Sequence, residues 1–151
     1  MTNKILIMIH YTLEKEFLKK FEIEGDGTNI REILTDDQIK NLLSEYPKLP
    51  IDYIIYLQEI GSGSFRQSQF NVITPFNLED LGLENHFELK SNIWFFGDNF
   101  AGDFAGFDFG QNDGKVVEFW HDSGELYYTN QSFQNYIREQ MLMDENGNEI
   151  E

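Results

Sequence analysis

Between Ile93 and Tyr128, four short apolar runs alternate with clusters of turn residues, and this pattern constrains the fold more than any other feature of the chain. The runs are Ile93 to Phe96, Ala105 to Phe109, Val116 to Trp120 and Leu126 to Tyr128. They are rich in aromatic and β-branched residues and too short for stable helices. The separators are Gly97-Asp98-Asn99, Gln111-Asn112-Asp113-Gly114 and Asp122-Ser123-Gly124. Asp-Gly and Ser-Gly pairs suit the left-handed turns that fold one strand back on the next. The region is expected to be a meander of antiparallel strands. Val116, Glu118 and Trp120 then share one face of their strand, and Val117, Phe119 and His121 the other. Ile93-Trp94-Phe95-Phe96 is apolar on both faces. Such a sheet is either covered on both sides or leaves aromatics for a partner.

Helical signals flank the meander. Leu13, Phe17, Leu18 and Phe21 fall at helical spacing, which predicts a helix over 12–22 that ends at Gly25-Asp26-Gly27. Thr35-Asp36-Asp37-Gln38 reads as a capping box, followed by the stripe Ile39, Leu42, Leu43 and Tyr46 and stopped by Pro47. Pro50 opens a helix that is apolar almost all round, from Ile51 to Ile60, with Gly61 as its left-handed cap. Gly61-Ser62-Gly63-Ser64 is read as cap plus loop, because a phosphate cradle needs the helix after the glycines. Phe70, Val72 and Ile73 suggest a strand before Pro75, and Asn77 to Leu81 one helical turn. A last helix over about 131–142 carries Phe133, Tyr136, Ile137 and Met141, with Asn130 as its expected cap. Ile5 to Ile9 fits a strand or a buried helix equally well. The first 30 residues carry no distinctive motif, and the tail 144–151 is expected to fray. No Pro/Ser-rich linker divides the chain, so one domain over 1–151 is expected. Its class is α+β, a small antiparallel sheet packed with helices.

Charge narrows the function classes. With 27 acidic and 11 basic side chains the net charge is −16, and residues 91–125 hold seven acids against Lys115 alone. Such a chain repels phosphate backbones and anionic lipid surfaces, so neither nucleic acid nor membrane is an expected partner. The 14 Phe, 7 Tyr and 2 Trp supply a core and argue against disorder. Absence of cysteine rules out disulfides, a thiolate nucleophile and Cys-ligated zinc, and suits a reducing, cytoplasmic setting. The run Ile5–Ile9 is too short to cross a membrane, and no small-residue cleavage site follows it.

Chemistry-bearing patterns are few. His10, His86 and His121 form no ligand pair. Asp98, Asp103, Asp108, Asp113 and Glu118 recur every five residues, a spacing that matches neither helix nor strand, and no calcium-loop order is present. The plain reading is that Asp98 and Asp113 make turns and the rest are solvated. No cofactor, metal site or catalytic residue is expected.

Two blocks taken together resemble the SMI1/KNR4 family, also called the SUKH superfamily. The first is ILTDDQIKNLLSEYPKLPIDYIIYLQEIGSG, Ile33 to Gly63, a helix, then Leu-Pro before a Tyr-bearing helix, then a Gly-ended loop. The second runs from Ile93 to Ile137, with Phe-Gly-Asp, a Gly-Asp turn, an Asp-bearing strand, Gly-x-Val-Val and the Ser-Phe that opens the last helix. The chain departs from the family pattern in the middle of the first helix, where Asn41 to Leu43 precede Glu45. The resemblance implies an α+β fold and a binding protein without shared catalytic residues. Bacterial members are typically immunity proteins against polymorphic or contact-dependent toxins, many of them nucleases, and fungal members act in cell-wall regulation and signalling. Gly97, Asp98, Gly102, Asp103 and Asp108 then read as architecture first.

The resulting expectation is a non-catalytic protein that binds a basic toxin domain through its acidic second half. Asp98, Asp103, Asp108, Asp113, Glu118, Asp122 and Glu125 would supply the field, and Trp94, Trp120, Tyr127 and Tyr128 the anchors. A regulatory module with a non-toxin cellular partner is the alternative, and a hydrolase using paired acids a distant third.

Overall fold

Seven strands pair strictly with their neighbours in sequence in this computed structural model, which describes residues 9–85, 87, 89, 92–111 and 113–150. Most of the run Ile5–Ile9, and His86, lie outside the described residues. In chain order the elements are α1 (Thr12–Phe21), β1 (Arg31–Glu32), α2 (Asp36–Glu45), α3 (Ile51–Glu59), β2 (Ser62–Phe65), β3 (Phe70–Phe76), β4 (Ile93–Asp98), β5 (Phe104–Asp108), β6 (Lys115–Trp120), β7 (Glu125–Ser132) and α4 (Phe133–Gln140). All strand pairs are antiparallel, so the fold is α+β and its sheet is a meander.

The helix boundaries follow local chemistry. The Thr35 hydroxyl accepts from the Gln38 N–H while the Gln38 side chain accepts from the Thr35 N–H, completing the capping box that opens α2. Gly61 takes a φ of +103° and sends its N–H back to the Tyr56 carbonyl, closing α3. The last helix is capped by Ser132, whose hydroxyl accepts from the Asn135 N–H, and not by Asn130. Asn130 instead lies inside β7 at a φ of +59°.

Strand alternation divides the apolar residues between two cores. On one face Phe65, Phe70, Val72, Phe96, Ala105, Phe107 and Val116 pack under the helices. On the other, Ile93, Phe95, Val117 and Phe119 are covered by Leu78, Leu83, Phe87 and Leu89 from the β3–β4 connection. A loop rather than a second helical layer therefore shields that face. Two strip residues expected inside are not: Leu43 is 37% exposed and Ile51 42%.

Other expectations also change. Ser62–Phe65 is a strand, not a loop, and pairs with the unexpected β1. Gly63 makes this possible: at φ +141° its missing Cβ would lie 1.9 Å from the Ile30 carbonyl oxygen. Strand β3 continues through Pro75, where the register with β4 shifts between Val72 and Phe76; an irregular site of this kind is where a proline fits a sheet. Gly97 and Asp98 belong to β4, and the turn follows them. Asn77 and Asp80 accept each other's N–H in a turn without a helix. The tail as far as Ile150 is tied back: Asp144 gathers the N–H groups of Asn146 and Asn148, Met143 bridges Glu149, and the Ile150 N–H donates to the Leu142 carbonyl.

Candidate protein-docking site

Strand direction brings the β4–β5 and β6–β7 turns to one end of the sheet, because β4 and β6 both run toward it. The acids there are built into the turns. Asp98 accepts from the Phe100 N–H and the Asn71 amide, and Asn99 accepts from the Ala101 and Asp103 N–H groups. Asp103 accepts from the His121 N–H at 3.1 Å and lies 2.8 Å from its Nδ1, which ties the two turns together. Asp122 sits 3.1 Å from the other ring nitrogen. Glu125 begins β7 beside them. Lys115, the one lysine or arginine of residues 91–125, starts β6 at the opposite end.

Exposed aromatics accompany these acids. Trp120 is 41% exposed and Tyr127 51%, and their rings stack 5.4 Å apart at 20°. Glu118 lies on the same face and accepts from the Trp120 ring N–H at 3.3 Å and from the Tyr136 hydroxyl at 2.6 Å. The pair is thus held from below before any partner arrives. Phe100, 53% exposed at a φ of +63°, projects from the β4–β5 turn. Sequence reasoning missed it. Its signal was an aromatic between turn formers, outside every apolar run.

The remaining candidate residues do not join this surface. Trp94 is half-buried on the helix side, edge-on to Tyr46 at 4.9 Å. Tyr128 points to the opposite face, where its hydroxyl donates to the buried Asp108 at 2.8 Å. Asp113 caps the Lys115 N–H at the far end of the sheet. The five-residue recurrence of acids therefore resolves into separate turn and strand contacts. Asp103 lies in the β4–β5 turn, Glu118 on the face of Trp120 and Asp108 on the opposite face, so the three do not converge. Among the described residues, no group of three His, Cys, Asp or Glu could hold a metal ion, and no helix is long and apolar enough to cross a membrane.

The Asp103–His121 contact makes this end pH-sensitive. Partial burial raises the Asp103 carboxyl, but hydrogen bonds from His121 outweigh it and the group sits below the usual range. The bond to Asp103 raises the His121 ring above its ordinary value, and the charge of Asp122 adds to the effect. A histidine raised on folding contributes stability that is complete below its unfolded value and lost as pH rises through the folded one. A carboxylate lowered on folding contributes stability that is complete above its unfolded value and lost as pH falls through the folded one. The contact is therefore complete between the ordinary values of 3.8 and 6.5. An NMR titration should show the His121 ring titrating above 6.5, and Asp103→Asn should bring it down toward that value. A wild-type ring titrating at or below 6.5 would mean that the two turns are not tied in solution.

No curated protein and no solved structure matches the chain. The family model of the SMI1 / KNR4 family (SUKH-1) matches residues 33–139, more than two thirds of the sequence, from the entry to α2 through nearly all of α4. On that match the chain belongs to the SMI1/KNR4 (SUKH-1) family.

Proposed function

We propose that this protein is an immunity-type binding protein: a single domain that neutralises a toxin by docking the toxin's basic domain against the 98–104 and 120–127 end of its sheet. The observation that carries the reading is the stacked Trp120–Tyr127 pair, exposed yet braced by Glu118, among the acids of residues 91–125, whose one lysine, Lys115, starts β6 at the opposite end of the sheet. Aromatic anchors contribute most of the binding energy of protein interfaces. The surrounding carboxylates steer a basic partner and raise the rate of capture. A nuclease toxin fits this description, since an enzyme that grips phosphates presents positive charge that an acidic surface can cover. Membership of the family supports binding, rather than bond chemistry, as the activity.

The test is affinity capture from the native cell, followed by co-expression with the toxin domain recovered. Growth should be rescued, and association should slow as ionic strength rises from low to physiological. Trp120→Ala should weaken the complex by about tenfold or more, mainly through faster dissociation. Glu125→Gln should act instead on the association rate. Recovery of no basic partner, or association indifferent to salt, would overturn the reading. Capture of a cellular protein with no effect on growth would favour a regulatory module.

A further inference from the structure

A groove far from the aromatic end has the composition of a receptor for a basic side chain. Strand β2 starts at Ser62, opposite the end of β1, whereas β3 runs on from its last β2 partner, Val72, to Phe76. Among the described residues the tail of β3 thus has no strand partner on that side, and α2 forms the other wall of the gap. The groove has a volume of about 480 Å³. Leu34, Leu42 and Pro75 give it an apolar floor, and Tyr46, held edge-on against Trp94, gives it a fixed aromatic wall. Among the described residues that line it, two carboxylates, Glu32 from β1 and Glu45 from α2, are the only charged groups.

Two of the nearby cations are engaged elsewhere. Arg31 makes a two-pronged bond to Glu22 at 2.7 and 2.8 Å, and Lys48 donates to the Phe109 carbonyl. Among the described residues, neither Glu32 nor Glu45 has an ion-pair partner. An apolar floor with acids at its rim suits a side chain that carries a cation on an apolar stem. Between the two candidates, a planar guanidinium matches carboxylates and an aromatic wall better than a compact, strongly hydrated ammonium does.

We propose that this groove is a second binding site, which takes an arginine side chain from a protein partner. Its stem would lie along Leu34, Leu42 and Pro75, with the guanidinium directed to Glu32 and Glu45. The site shares no residue with the surface around Trp120, so it does not depend on the immunity reading.

The test is an NMR titration of the ¹⁵N-labelled full chain with the peptide acetyl-Val-Arg-Val-amide, using acetyl-Val-Nle-Val-amide as the uncharged control. Saturable shifts are expected at the backbone amides of Asn41, Glu45, Ser62 and Thr74 with the arginine peptide, and binding about tenfold weaker or less with the control. The double substitution Glu32→Gln/Glu45→Gln should weaken the arginine peptide by about tenfold, while Glu125→Gln leaves it unchanged. Spectral dispersion reports directly that each variant is folded. Shifts that spread over the acidic surface without saturating, or an equal response from the double variant, would overturn the proposal.

Discussion

Phe96→Ala should cost about 3–5 kcal/mol of folding stability, the range for emptying a large aromatic site in a packed core. The Phe96 ring is fully buried and meets five others: Tyr53 on α3, Phe70 on β3, Phe107 on β5, and Phe133 and Tyr136 on α4. Rings anchored on four different elements cannot close together over the space, so the site should collapse poorly. The centroid separations, from 4.9 Å to Phe133 to 6.2 Å to Phe70, are those of favourable edge and tilted contacts, which are lost as well. Against a typical total of about 5–15 kcal/mol, this is a large share. Urea unfolding should show a lower midpoint with an unchanged slope. Phe100→Ala, on the exposed turn, is the control and should stay within about 0.5 kcal/mol of wild type. A Phe96 loss no larger than that of Phe100 would mean that the two aromatics are not divided between core and surface as described.

The contrast between those two phenylalanines shows what the sequence carries. Phe96 lies in an alternating run, and alternation with bounding turn residues is a local signal; it located β4, β5, β6 and β7. Capping chemistry is local too, so α2 and α3 were legible to within a residue or so. What was not legible depends on non-local approach. Arg31–Glu32 has no strand periodicity because two residues cannot show one, and it becomes a strand only where Gly63 lets the Ile30 carbonyl come close. Ser62–Phe65 reads as a loop for the same reason. The cover over Phe95 and Phe119 comes from Leu78, Leu83, Phe87 and Leu89, which lie in an irregular segment with no period to detect.

The candidate site was partly legible. Composition shows the charge asymmetry, and the strand pattern names Trp120 and Tyr127 as anchors only together with Trp94 and Tyr128; it does not say which of the four are exposed. The separation of Trp120 and Tyr127 from Trp94, Tyr128, Asp108 and Asp113 follows from strand parity and strand direction. Both are read only once the register is fixed, and shifts such as the one between Lys115 and Val117 change parity locally. Phe100 depends on a positive φ that no residue type announces.

Helix α1 lies outside residues 33–139, the stretch that matches the family, yet it contributes Phe17 and Leu18 to the main core. What orients it is a polar contact made inside the fold. Glu14 is fully buried, and its Oε2 accepts from the Gln134 amide at 2.9 Å and the Arg138 Nε at 3.3 Å, both on α4. Its Oε1 has no hydrogen-bond partner among the described residues. A carboxylate so placed depends on its counter-charge: removing one member of a buried pair leaves the other charged and desolvated. Arg138→Met should therefore destabilise the protein by about 3 kcal/mol, at the low end for buried pairs because the arginine side chain is 26% exposed. Adding Glu14→Gln should restore most of that loss, since a neutral amide can still bond Gln134 without a buried charge. The double-mutant cycle should then report a coupling of about 1–3 kcal/mol. Near-additive losses would show that Glu14 is solvated, and that α1 is held to α4 by its apolar face alone.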